Sequence, residues 1–154
     1  MSLQVTQIEF GSLLSYTPHG KTPKDIASKG VMSAVKNDEI VSAPGKRIPM
    51  SEFIAQSIKQ KLNTLPFSKL FGPNLTLVPT PSSSLKQPNS LWPANNVAFA
   101  LGKQFGYAVE EHLVRKIPLP KSATSSASSR STALQHFNSL GVQPLLTKQV
   151  NTLS

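Results

Sequence analysis

Two prolines separated by a single residue, Pro79 and Pro81, constrain this chain more than any other feature. Proline has no amide proton to give to a sheet ladder, so a strand that reaches Pro79 ends there. Leu75 to Val78 form a short β-type run before it, and Ser82, Ser83, Ser84, Lys86 and Gln87 make a polar loop after it. Trp92-Pro93 then opens an apolar segment. Val97, Ala98, Leu101 and Phe105 share one helical face there, and Gly106 supplies a stop, which predicts a helix over 91–105. A strand, a hydroxyl-rich loop and a helix N-terminus are the parts from which α/β proteins assemble anion sites. A plain connection uses the same residue types, so both readings of 75–95 stay open at this point.

The rest of the chain predicts a mixed architecture. Residues 3–16 alternate loosely through Val5, Ile8, Phe10 and Leu13, as edge strands do, and Tyr16 to Lys21 is turn chemistry. Asp25 to Asn37 reads as a helix interrupted at Gly30, and 42–50 as a loop. The clearest helix is 51–63, with Ser51 as its N-cap and Ile54, Ile58 and Leu62 on one stripe, ended by Leu65-Pro66. Beyond Gly106 come short extended pieces at 107–109 and 113–114, a Ser/Thr-rich run over 118–132 expected to be mobile, and a short helix within 131–140. Helix, turn, strand, loop and helix in that order predict an α/β fold with a central parallel sheet flanked by helices. The natural division falls at 74. An irregular N-terminal extension with the first helices occupies 1–74 and the strand-loop-helix portion 75–154, within one compact unit.

The length of 154 residues suits a single core. Net charge is +9, from 16 basic and 7 acidic residues. Such a surface is either simply solvated or serves an anion, and the scattered lysines, not interleaved with aromatics, favour a small phosphorylated ligand over nucleic acid. The chain has no cysteine, which excludes disulfides and thiolate metal sites. No apolar run is long enough to span a bilayer and the start lacks a secretory pattern, so the expectation is a cytoplasmic protein without a membrane partner.

Several chemistries lack their residues. His19, His112 and His136 have no ligand-type partner at helical spacing, so no metal site is expected. Gly-x-Ser-x-Gly, the Walker loop and Gly-x-Gly-x-x-Gly are all absent. Glu110-Glu111 beside His112 reads as a solvated face. What remains is phosphate chemistry by backbone amides, hydroxyls and isolated cations: Ser82, Ser83, Ser84 and Lys86 in the loop, and Arg130 and His136 beyond the serine run. Arg130 is either solvated or part of a lid that closes over an anion.

Taken in order, Val78-Pro79-Thr80-Pro81-Ser82-Ser83, Leu91-Trp92-Pro93-Ala94, Leu113-Val114-Arg115, Lys121-Ser122-Ala123, and Arg130 with His136-Phe137-Asn138-Ser139-Leu140 resemble the ComF-like branch of type I phosphoribosyltransferases. The resemblance covers about 75–140 well and the first 74 residues weakly. It implies a phosphoribosyltransferase-like fold and displacement of pyrophosphate from phosphoribosyl pyrophosphate by a nitrogenous nucleophile. Mg²⁺ would enter with the pyrophosphate. Thr80, Pro81, Ser82, Ser83, Ser84, Lys86 and Trp92 would bind the substrate. Lys121 or Arg130 would neutralise developing charge from a flexible loop, and His136 would anchor that loop or donate a proton.

The chain departs from the family at one point. The family's strand ending in two adjacent acidic residues, followed by Thr and Gly, has no counterpart, and residues 112–154 contain no Asp or Glu. The expectation is therefore the N-terminal portion of such an enzyme, inactive alone and completed by a C-terminal half or a second chain. A different class of function also fits the composition: a non-catalytic basic module that binds nucleic acid or an acidic protein partner. A third possibility is a structural fragment whose open sheet edge needs another polypeptide.

Overall fold

The computed structural model describes residues 11–13, 17, 19–120 and 130–143. Among them run α1 (Pro23–Asn37), the hairpin strands β1 (Ile40–Ala43) and β2 (Lys46–Pro49), and α2 (Met50–Lys61). Two 3₁₀ turns (Leu62–Thr64 and Ser68–Leu70), β3 (Thr76–Leu77), α3 (Pro93–Phe105) and β4 (Ala108–Val109) follow. Last come β5 (Leu113–Arg115), α4 (Ala133–Asn138) and β6 (Leu140–Val142). The expected edge strands within 3–16, apart from 11–13, and the serine run at 121–129 lie outside the described residues.

Helices and small sheets mix, as expected for an α/β chain, but the strands pair only two by two. The pairs β1–β2 and β5–β6 are antiparallel, whereas β3–β4 is parallel. No central parallel sheet is present among the described residues. The one parallel ladder sets Thr76 beside Ala108 and Leu77 beside Val109, with α3 as the crossover between its strands.

Helix α1 is uninterrupted at Gly30, against expectation. Its start explains how it carries a mid-helix glycine, which costs about 1 kcal/mol relative to alanine. The Thr22 hydroxyl oxygen accepts from the Asp25 amide, the Asp25 carboxylate accepts from the Thr22 amide, and Pro23 occupies the first turn. The helix ends at Asp38 in the left-handed conformation (φ 46°).

That residue corrects the sequence-based start of α2. The helix begins at Met50, and Ser51 lies buried inside its first turn. The capping acceptor comes from a distance instead. Asp38 Oδ1 accepts the Ser51 amide at 2.8 Å, while Oδ2 accepts the Ser51 hydroxyl at 3.1 Å and the Asn96 side-chain amide at 2.8 Å. One carboxylate thus ties the end of α1, the start of α2 and the first turn of α3, where its charge also suits the helix dipole of α2. Residues 42–50, expected to be a loop, instead contribute most of the β1–β2 hairpin, turned at Pro44-Gly45 with Gly45 at φ 74°.

The core sits where α2 packs on α3. The buried face of α2 runs through Ser51, Ala55 and Ile58, rotated from the expected Ile54, Ile58 and Leu62. Helix α3 buries Ala100 on the side that shares a hollow with Ser51, Glu52 and Gln56 of α2, and Ala98 and Gly102 on the side toward β3 and β4. Lys59 Nζ donates to the Gln104 carbonyl at 2.7 Å and so caps the end of α3 from α2. A chain of rings, Phe67, Phe71, Phe105 and Tyr107, closes that end, with neighbouring centroids 5.3–6.2 Å apart. At Gly102 a Cβ would come within 2.9 Å of the Tyr107 carbonyl oxygen, so glycine lets β4 return directly alongside α3. The core therefore crosses position 74.

Candidate functional site

Strand β3 delivers the chain to Pro79 and the loop 79–92, which forms one wall of a cleft of about 650 Å³. Pro81, Ser82, Ser84, Leu85, Lys86, Leu91 and Trp92 line that wall, and Glu111, Leu113, Val114, Arg115 and Lys116 line the other. The opening lies beyond the C-terminal end of a parallel strand, the usual position of ligands in open α/β sheets.

Four carbonyls of the loop, those of Thr80, Ser82, Ser83 and Ser84, are tied down. The Trp92 indole donates to Thr80 O at 2.9 Å, Arg115 Nε to Ser82 O at 2.9 Å, the Leu119 amide to Ser83 O at 2.8 Å, and the Ser82 hydroxyl to Ser84 O at 2.9 Å. By contrast, among the described residues no backbone amide from Ser82 to Lys86 donates to a protein acceptor. A stretch with the carbonyls of residues 82–84 engaged and its amides free presents positive dipoles, the polarity an anion requires.

Two side-chain cations adjoin those amides. Lys86 Nζ lies 2.6 Å from Glu111 Oε2 and 4.8 Å from the centroid of the Trp92 ring. Arg115 is fixed more firmly. Besides Ser82 O, its Nη1 donates to the buried Ser139 hydroxyl and, at 3.4 Å, to the His136 carbonyl, which also accepts from the Ser139 hydroxyl at 2.6 Å. No carboxylate touches Arg115 among the described residues, so its charge is held by carbonyl and hydroxyl dipoles. Leu113 and Arg115 stand in the β5–β6 ladder, and the Gln143 amide donates to His112 O at 2.8 Å, which steadies that wall. Just behind it, His112 Nε2 meets Glu110 Oε2.

The sequence-predicted site residues separate into groups. Pro81, Ser82, Ser84, Lys86 and Trp92 converge on the cleft. Thr80 and Ser83 act through their carbonyls, which hold the loop rather than line the space. His136 engages Arg115 through its carbonyl, because α4 is short and its capping box (Thr132 with Gln135) fixes its direction. The His136 side chain does not line the cleft, nor does the exposed Arg130. Lys121 lies outside the described residues. Sequence reasoning missed Arg115 and Glu111 as site residues. Arg115 stands in the Leu113-Val114-Arg115 segment, but its contact with Ser82 spans 33 positions and leaves no periodic signal.

Among the described residues no group of three His, Cys, Asp or Glu side chains is placed to hold a metal ion. Among the described residues Glu111 is the one carboxylate lining the cleft, which is too few to cage Mg²⁺. A second hollow of about 660 Å³ lies beside Asp38, Lys46 and Lys103, but the Asp38 oxygens there are committed to Ser51 and Asn96. Among the described residues, no helix is long and apolar enough to cross a membrane. No protein family, curated protein or solved structure matches the chain.

Proposed function

We propose that the cleft binds pyrophosphate, either free or as part of phosphoribosyl pyrophosphate, in a phosphoribosyltransferase-like protein related to the ComF branch. The observation that carries this proposal is the polarity of the loop after β3. Among the described residues its amides are unengaged from Ser82 to Lys86, the carbonyls of Thr80 and Ser82 to Ser84 are tied, and Lys86 and Arg115 stand beside it. The parallel β3–α3–β4 unit would be the nucleus of a larger parallel sheet with the ligand at its C-terminal edge.

Each residue has a task in binding. The amides of 82–86 and the Ser84 hydroxyl donate to phosphate oxygens, and Lys86 supplies a mobile charge. Arg115 fixes the loop through Ser82 O and contributes its charge from the opposite wall. Mg²⁺ brought in by the ligand would offset the charge of the leaving pyrophosphate. Glu111 is the residue near enough to meet such an ion, through one carboxylate or a bound water. Transfer to a nitrogenous acceptor also requires carboxylates to orient the ribose, and no Asp or Glu follows Glu111 in the sequence. The 154-residue chain by itself therefore binds without turning over.

Calorimetry of the full chain tests this directly. Pyrophosphate and phosphoribosyl pyrophosphate should bind one per chain, weaken in Arg115→Met, and release no pyrophosphate on incubation with acceptor bases. Absence of binding, together with salt-dependent capture of a single-stranded oligonucleotide, would replace it with the basic nucleic-acid module.

A further inference from the structure

We infer that Glu111 is a specificity-determining residue that makes the cleft discriminate among anions by charge. This rests on the pyrophosphate site proposed above. Among the described residues, Lys86 is the one cation of the cleft with a carboxylate partner, Glu111 Oε2 at 2.6 Å. The pair stands in the cleft itself, with side-chain exposures of 61% for Lys86 and 40% for Glu111, and the Lys86 ammonium lies over the Trp92 ring. An incoming anion must therefore take Lys86 from an internal competitor.

An exposed lysine–carboxylate pair is weak, so a competitor of this kind does not close the site but sets a threshold. A ligand of low charge gains too little from Lys86 to displace Glu111. A diphosphate offers more charge and more acceptor oxygens, and it also reaches the amides of 82–86 and Arg115, so it can draw Lys86 across. Glu111, once released, faces the bound anion and penalises any ligand that does not bring a cation to it. Orthophosphate is the disfavoured ligand and a diphosphate, above all as its divalent-metal complex, the favoured one.

The chain supplies its own reporter. Trp92 is the only tryptophan, and its indole is fixed by the bond to Thr80 O while Lys86 sits over its face. Movement of Lys86 off the ring changes the environment of that single fluorophore.

The test is a fluorescence and calorimetric titration of the full chain with inorganic phosphate and with pyrophosphate, each with and without Mg²⁺. Glu111→Gln is compared with Glu110→Gln, which removes the same charge one residue away, at a side chain that does not line the cleft. Glu111→Gln should tighten phosphate binding by about fivefold, the upper range for loss of an exposed pair, and tighten pyrophosphate binding less. The preference for pyrophosphate should thus narrow, and the Mg²⁺ dependence should shrink, while Glu110→Gln leaves both ratios as in the wild type. Equal shifts in the two variants, or an unchanged phosphate-to-pyrophosphate ratio in Glu111→Gln while pyrophosphate still binds, would overturn the role of Glu111 and leave the binding site standing. Failure of the wild-type chain to bind pyrophosphate calorimetrically would remove the site and this role together.

Discussion

The two halves of the molecule are held together by different forces. Among the described residues, the buried apolar side chains other than Pro79 (Ala34, Ile48, Met50, Ala55, Ile58, Phe67, Ala98 and Ala100) lie in α1, the hairpin, α2, the 3₁₀ region or α3. Around the cleft the buried side chains of the described residues are Pro79 and Ser139, and the organising group is a guanidinium that bridges Ser82, His136 and Ser139. The first half draws its stability from apolar area removed from water. The second draws its shape from directional polar contacts, each worth little net free energy. A scaffold of the first kind tolerates changes in the second, as the proposed anion site would require.

Substitutions separate the two. Ile58→Ala, at a buried position of α2, should cost about 3 kcal/mol of global stability, read as a lowered denaturant midpoint with an unchanged slope. A cost below about 1 kcal/mol would mean that the core is not where the buried residues place it. Arg115→Met should cost only about 1 kcal/mol globally, yet raise the exchange of amides at 82–90 and 136–141 well beyond that of α2. Equal loosening of both halves would erase the contrast.

The smallest effect belongs to the start of α1. The Thr22 side chain and then the Thr22 backbone amide donate to the Asp25 carboxylate and hold its pKa below the ordinary value, with smaller help from Thr17 and from the charge of Lys29. A depressed carboxylate pKa stabilises the fold above the unfolded-state pKa, and that contribution fades as the pH falls through the folded-state pKa. Asp25→Asn should therefore lower stability slightly near neutral pH and flatten the acid side of the profile, the variant and wild type converging at low pH. A variant profile that parallels the wild type through the acid range would show that this cap contributes nothing there.

Legibility in the sequence follows the same contrast. Helix α3 could be read because its signals are local: Pro93 in the first turn, an apolar face, and Gly106, which takes φ 75° at the stop. The short helix within 131–140 appears as α4, and the extended pieces after Gly106 appear as β4 and β5. The start of α2 was misread because its capping acceptor is Asp38, 13 residues upstream, so Ser51 displays the chemistry of a cap while buried in a tertiary contact. The hairpin was missed because Pro44, Gly45 and Pro49 look like loop punctuation, although Pro44-Gly45 also suits a two-residue turn. At the cleft, Pro81, Ser82, Ser84, Lys86 and Trp92 were recognisable as one local stretch. Arg115 and Glu111, which act on that stretch from 33 and 25 positions away, were not.

Hydrogen exchange of the full chain, with and without pyrophosphate, is the most direct measurement of the central claim. The amides from Ser82 to Lys86 have no acceptor among the described residues and should exchange rapidly in the free protein. Pyrophosphate should slow that segment, while α2 exchanges as before. Unchanged exchange at 82–86 under saturating pyrophosphate, or protection that appears elsewhere instead, would contradict the assignment of this loop as the anion site.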